Sequence, residues 1–196
     1  MCITSCHESA AEDLVRLTRA TAAAMERATI ALEEADVALA DDIVADSVRL
    51  DRDREEVARL VHTVLALRAP AVTVLAAIHA LTELERLGRL VLQVARTVQR
   101  RYPHPVLPHA VTPDFVELGR IAVWPAEPAA DDGHVRASIR VEDDLADLRR
   151  ILTALSEPGD IAVLSRLYER FADHAVVLGR VMRSAVPGSQ VTGTAA

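Results

Sequence analysis

The sequence lacks lysine and asparagine altogether and contains few aromatic residues and few cysteines. All 22 basic residues of the 196-residue chain are therefore arginine, and 29 acidic residues leave a net charge of −7. This acidic balance argues against a non-specific nucleic-acid binder, because such proteins attract the phosphate backbone with excess positive charge. The only cysteines, Cys2 and Cys6, stand together near the N-terminus. A disulfide-stapled secreted module is therefore excluded.

Long hydrophobic runs are also missing. The longest apolar stretch, residues 69–81, is interrupted by His79 and falls short of the roughly 20 residues that a membrane-spanning helix needs. The N-terminal residues have neither the basic region nor the apolar region of a signal peptide. We therefore expect no membrane insertion and a cytoplasmic location.

Sequence motifs of catalysis are absent as well. The chain has no phosphate-binding glycine loop, no dinucleotide fingerprint and no H-E-x-x-H zinc motif, and its spacing indicates no Ser-His-Asp set. With 51% hydrophobic residues the chain can nevertheless form a sizeable core. We therefore expect a folded protein without catalytic activity.

The first half of the chain is nearly free of helix breakers. No proline precedes Pro70 and no glycine precedes Gly88. Asp36 is placed to cap a second helix, and Pro70 to begin a third that ends near Arg101. Apolar residues recur at spacings of three and four in the first segment, as in Leu14, Leu17, Thr21, Met25, Ala28 and Leu32. The pattern predicts an up-down-up bundle of three helices.

The second half repeats this order in a shorter form. After the proline-rich segment 103–113, helices are expected at 115–123, about 135–155 and 160–185, and strand signals are nearly absent. Shifting the chain by 84 positions places Leu84-Glu85-Arg86-Leu87-Gly88 over Tyr168-Glu169-Arg170-Phe171-Ala172. This internal duplication predicts an all-α fold of two tandem three-helix bundles, at 7–102 and 111–188, with the second shortened.

The short fourth helix predicts an open groove in the second bundle. Either a loop at 124–133 with Trp124 as a plug or a second copy of the chain would cover it, and we favour a two-fold homodimer. The apolar residues expected to line this groove are Leu145, Leu148, Leu152, Leu164 and Leu167.

Acidic pairs supply the candidate metal ligands. Glu169 and Asp173 lie four residues apart, so both carboxylates project from one face of a helix, where a hard cation could bind them. The alternative is a solvated patch paired with Arg166 and Arg170. Asp46 is singled out from an acidic run on the second helix that otherwise is typical of a solvated face. The spacing of Cys2, Cys6 and His7 does not match a zinc site.

Several of these segments resemble the PhoU family. Residues 31–36 and 40–44 are similar to the start of PhoU proteins, and 65–70 to their leucine-to-proline turn. Residues 84–88 resemble the motif L-E-R-I-G-D, and 169–175 resemble its second copy, E-R-x-x-D-H-A. The order and spacing agree over about residues 7–188.

The resemblance implies a cytoplasmic regulator built from two three-helix bundles. Such proteins restrain phosphate uptake and the phosphate-starvation response by contacting the ATPase of a phosphate ABC transporter and a sensor histidine kinase. Some bind metal, and the positions carried over are Glu169 and Asp173, with Glu85 and Asp46, for a divalent or ferric ion. The first copy has Arg89 where the motif has Asp, which favours an ion pair with Glu85 there. The alternatives are a metal-binding bundle or a scaffold for another transporter, outside phosphate signalling.

Overall fold

Five helices account for most of the chain that the structure describes. The structure is a computed structural model that describes residues 3–66, 70–123, 146–147, 150–151, 153 and 159–185. The helices are α1 (Ile3–Glu34), α2 (Val37–Ala66), α3 (Ala71–Arg101), α4 (Thr112–Val123) and α5 (Asp160–Ala185). These ranges contain no strand, which confirms the all-α prediction. None of their helices has the length and apolar character needed to cross a membrane.

The helix boundaries follow the predicted positions closely. Asp36 caps α2 as expected, because its Oδ1 accepts a hydrogen bond of 3.0 Å from the Leu39 backbone N–H. The preceding Ala35 adopts a positive φ of 53°, which ends α1 and lets the chain reverse within two residues. Helix α1 begins at Ile3, well before Leu14, the first residue of the predicted apolar pattern. Most of the helix expected at 135–155, and the whole loop at 124–133 with Trp124, lie outside the described residues.

Helices from both halves of the sequence pack around one continuous hydrophobic core. Helix α3 contacts α1 and α2 on one side and runs antiparallel to α5 on the other. Two polar contacts mark this antiparallel pair: Arg101 lies 3.3 Å from Asp160 at one end, and Glu83 meets His174 further along. Helix α1 packs against α4, so a second contact joins the two halves. The bundle limits 7–102 and 111–188 remain predictions.

The contact between α1, α4 and α5 is centred on a buried tyrosine. The Tyr168 hydroxyl lies 2.9 Å from Thr29 Oγ1, and the Tyr168 ring meets the Phe115 ring edge-to-face at a centroid distance of 5.5 Å. Gly119 on α4 faces the same Thr29 side chain, where a Cβ would come within 2.6 Å of Oγ1. The close approach of α1 and α4 therefore requires glycine at this position.

Two of the leucines expected in an open groove are buried. Leu164 has no exposed surface and Leu167 is only 5% exposed, because both point from α5 into the common core. The prediction that they face water is therefore wrong. Leu145, Leu148 and Leu152 lie outside the described residues or side chains. The homodimer stays a prediction that light scattering at micromolar concentration would test, and these two leucines no longer support it.

Unfolding at alkaline pH tests whether Tyr168 is buried in the folded protein. Burial raises the pKa of Tyr168, while the hydrogen bond with Thr29 acts in the opposite direction. Because the folded protein holds the phenol proton more tightly than the unfolded chain, this stabilisation is complete below about pH 10 and is lost as the pH rises further. In a Tyr102→Phe background, Tyr168 is the only tyrosine. We expect its tyrosinate absorbance to appear together with the loss of helical circular dichroism.

The matched variant adds Tyr168→Phe to the same background. Phenylalanine cannot ionise. The unfolding midpoint of the double variant should therefore vary less with pH above about 10 than that of the protein that retains Tyr168. A tyrosinate signal that rises while the helical signal is unchanged would contradict the burial of Tyr168.

Candidate functional site

The four predicted metal ligands fall into two separate places. Asp46 on α2 and Glu85 on α3 both line a pocket between the first three helices, called here the α1–α2–α3 pocket. Glu169 and Asp173 lie on the exposed face of α5. The structure therefore places Asp46 and Glu85 in one pocket of the first half, and Glu169 and Asp173 on one helix face of the second half.

The α1–α2–α3 pocket exists because the middle of α2 contributes little to the core. Between Ile43 and Val57, more than three helical turns, α2 has no buried residue. Its positions that line the pocket in this stretch include Ser47 and Arg54, and its one large apolar residue there, Leu50, is only half-buried. The opposite walls carry small side chains such as Ala20. Together they leave a cavity of about 340 Å³ that is open to solvent.

Arginine side chains surround the carboxylates of the pocket. Arg27 Nη1 donates a hydrogen bond of 2.8 Å to Asp46 Oδ2, and Arg49 lies 3.7 Å from the other oxygen of Asp46. Arg54 lies 3.3 Å from Glu85, which also pairs with Arg89 on its own helix. The pair between Glu85 and Arg89 confirms the expectation from the sequence.

The electrostatics of Asp46 follow from this arrangement. The hydrogen bond from Arg27 lowers the pKa of Asp46, the nearby charge of Arg49 adds to the effect, and partial burial opposes it. The Asp46 carboxylate is therefore ionised at neutral pH and already neutralised by guanidinium groups.

The pocket is poorly suited to a cation. Arg27, Arg49, Arg54 and Arg89 line it together with three acidic side chains, so the lining carries more positive than negative charge. A hard cation would have to displace arginine from both Asp46 and Glu85 before it gained their oxygen atoms. The chemistry of the donor set thus disfavours a metal ion in the first half of the protein.

Glu169 and Asp173 have different surroundings. Both side chains are exposed, and neither forms an ion pair with Arg166 or Arg170 or with any other residue in the described ranges. Two unpaired carboxylates one turn apart suit a hard cation, which prefers oxygen ligands. No third acidic, histidine or cysteine side chain in the described ranges completes such a site.

A polar cluster around the buried carboxylate of Glu83, at the interface of α3 and α5, was not predicted from the sequence. Only 2% of the Glu83 side chain is exposed, and its carboxylate contacts Arg86 Nη1 at 2.8 Å and His174 Nδ1 at 2.7 Å. His79 lies 3.4 Å away. The sequence did contain a signal for the burial of Glu83. This residue lies three positions after Ala80 and four before Leu87, on the apolar face of α3. His174 follows Asp173 directly in the sequence, but its side chain points to α3 and not to the exposed face that carries Glu169 and Asp173.

Known proteins with similar sequences are phosphate-transport accessory proteins. A family model described as the PhoU domain matches residues 14–98. The Mycobacterium tuberculosis protein named phosphate-specific transport system accessory protein PhoU homolog 2 is 36% identical over 177 residues, covering 80% of this chain and 83% of the relative. The Mycobacterium leprae protein named PhoU homolog 1 is 34% identical over 200 residues, covering 90% of each chain.

Solved structures with the same fold are also PhoU proteins. The phosphate transport system regulatory protein PhoU from Streptococcus pneumoniae superposes with a TM-score of 0.74, covering 97% of this chain and 99% of that chain at 16% identity. PhoU from Pseudomonas aeruginosa gives a TM-score of 0.72, covering 95% and 100% at 18% identity. These likenesses show the fold, and the mycobacterial relatives match most of the sequence. The chain therefore belongs to the PhoU family.

Proposed function

We propose that this protein regulates phosphate uptake as an accessory protein of a phosphate ABC transporter. The observation that carries the proposal is the 36% identity, over four-fifths of the chain, with a protein named for that role. In this role the protein acts in the cytoplasm, without catalysis, by contacting the transporter ATPase and a sensor histidine kinase. Its effect is to restrain uptake and the starvation response when phosphate is plentiful.

An exposed apolar surface at the start of α3 supports action by protein contact. Between Pro70 and Glu83 the chain has no arginine, aspartate or glutamate. Val72 and Leu75 are among the most exposed large apolar side chains in the described ranges, at 71% and 65%, and Ile78 lies one turn further on. Adjacent exposed apolar side chains are typical of a protein interface. We assign this surface, formed by Val72, Leu75 and Ile78, to the contact with the ATPase.

Co-purification with the transporter ATPase from the same organism tests this role. We expect the full-length protein to retain the ATPase, and the double variant Val72→Ser, Leu75→Ser to lose most of that binding. Val163→Ser is the matched control, because Val163 is similarly exposed but lies on α5. Retention of the ATPase by the double variant would contradict the assigned surface. Failure of the unaltered protein to bind the ATPase, together with unchanged phosphate uptake after gene deletion, would overturn the proposed function.

Metal binding at Glu169 and Asp173 is a second proposal, favoured by their freedom from ion pairs in the described ranges. We expect a divalent or ferric ion to raise the melting temperature of metal-free protein, because the cation neutralises two like charges on one helix face. Asp173→Ala should abolish the rise. Glu55→Ala removes an exposed carboxylate on α2 instead and should leave it unchanged. An unaltered melting curve with Mg²⁺, Mn²⁺, Zn²⁺ and Fe³⁺ would sink this proposal.

A further inference from the structure

We propose that the α1–α2–α3 pocket binds a small organic oxyanion, with the anionic group near Arg54 and an apolar body against the small side chains of α1 and α3. The cavity of about 340 Å³ falls within the size range of small-molecule sites, about 300–1,000 Å³. The inference concerns the pocket between the first three helices, and it does not depend on the role in phosphate transport.

Arg54 supplies the first argument. Its side chain is 20% exposed, and its Nη1 atom is buried without a hydrogen-bond partner in the described ranges. Nη1 lies 3.3 Å from Glu85 Oε2, close enough for an ion pair but without hydrogen-bond geometry. A buried N–H donor that lacks an acceptor is costly, and an oxyanion in the pocket would supply the acceptor.

The balance of charge supplies the second argument. Arg27, Arg49, Arg54 and Arg89 line the pocket with Asp46, Asp51 and Glu85, so guanidinium groups outnumber carboxylates by one. An entering anion balances this excess without breaking an ion pair. A cation would have to compete with four guanidinium groups, and a neutral ligand would leave the excess uncompensated.

The shape of the pocket supplies the third argument and identifies the ligand as organic. Ala20 and Ala24 on α1 and Gly88 on α3 present little side-chain volume, and a Cβ added at Gly88 would meet nothing within 4 Å. Leu50 on α2 and Leu92 on α3 complete an apolar wall beside them, and both are only half-buried. An inorganic ion would contact the arginines and leave this wall in water, whereas an apolar body on the ligand would cover it.

The fluorescent sulfonate 8-anilinonaphthalene-1-sulfonate combines an aromatic body with one oxyanion and is a suitable probe. We expect saturable binding of one probe molecule per chain to the folded protein. Arg54→Gln should weaken binding about tenfold, because it removes a charge-assisted hydrogen bond. Gly88→Leu should reduce it at least as strongly by filling the open space. Arg52→Gln, an exposed arginine two residues away on the same helix, is the matched control and should leave the affinity unchanged.

Displacement of the probe by small competitors identifies the chemical class of the oxyanion. Phenyl phosphate displacing the probe identifies a phosphate ester, and benzoate displacing it identifies a carboxylate; either result supports the site. Benzyl alcohol has the same apolar body without charge and should not compete at equal concentration. Equal competition by benzyl alcohol would overturn the proposal. Unchanged probe binding in both Arg54→Gln and Gly88→Leu, with melting temperatures near that of the parent, would also overturn it.

Discussion

Glu83→Ala is expected to destabilise the protein by about 2–3 kcal/mol, because the buried carboxylate accepts a hydrogen bond from Arg86 and contacts His174, and both would lose this partner. The Glu83 carboxylate is shielded from water and joins α3 to α5 through His174. Its removal leaves His174 partly buried without its partner and leaves a small cavity. Arg86 can turn toward solvent, because about half of its side chain is already exposed, and this keeps the cost from being larger. Urea unfolding followed by circular dichroism measures the effect.

A second variant at this position separates the charge of Glu83 from its size, and a variant at Glu85 serves as the control. Glu83→Gln keeps the size of the side chain and one acceptor oxygen, so it should cost about 1–2 kcal/mol. Glu85→Ala, two residues along the same helix, removes a half-exposed carboxylate paired with Arg54 and Arg89, and should cost no more than about 1 kcal/mol. Equal losses of stability for Glu83→Ala and Glu85→Ala would contradict the structural importance of the polar cluster around Glu83.

Local sequence signals were sufficient to predict the helices. The proline and glycine positions, the apolar period and the capping Asp36 depend on residues within a few turns of one another. The described bounds of α3 and α5 agree with these signals, while α4 begins at Thr112, three residues before the predicted start. The pair of Glu85 and Arg89 was likewise predictable, because residues four apart on a helix are neighbours by geometry.

Contacts between helices could not be obtained from local spacing. Glu83 and His174 are 91 residues apart, and nothing in the spacing on α5 shows that His174 points to α3. The position of Arg54 beside Glu85 depends in the same way on how α2 packs against α3. Leu164 and Leu167 were placed in a groove because their own helix period was known, while the helices that cover them were not.

Gly119→Ala and Gly88→Ala are expected to change stability in opposite directions, although both replace a glycine inside a helix. At Gly88 the added methyl group meets nothing within 4 Å, so alanine should stabilise the protein by about 0.5–1 kcal/mol through helix propensity. At Gly119 the same gain is opposed by steric overlap with Thr29. Overlap in a packed core costs typically about 1–3 kcal/mol, so Gly119→Ala should be destabilising overall.

The overlap at Gly119 is difficult to relieve because Thr29 is held in place. A Cβ would lie 2.6 Å from Thr29 Oγ1 and 2.8 Å from Cγ2. Thr29 Oγ1 also bonds the Met25 carbonyl at 3.0 Å and meets the Tyr168 hydroxyl at 2.9 Å, so rotation about χ1 would break both contacts. The alternative adjustment is for α4 to move away from α1, which would loosen the packing of Phe115 against Tyr168.

A double-mutant cycle of Gly119→Ala and Thr29→Ala measures the coupling between these two positions directly. Thr29→Ala alone loses the hydrogen bond to Tyr168 and should cost about 1–2 kcal/mol. Once Thr29 is alanine, the two atoms nearest to the added Cβ are gone and only the Cβ of residue 29 remains, at 3.1 Å, so Gly119→Ala should cost much less than in the unaltered protein. The two changes should therefore be non-additive by at least about 1 kcal/mol in urea unfolding, as expected for residues in direct contact. Additive effects, or stabilisation by Gly119→Ala in the unaltered background, would show that α1 and α4 do not approach as closely as Thr29 and Gly119 indicate.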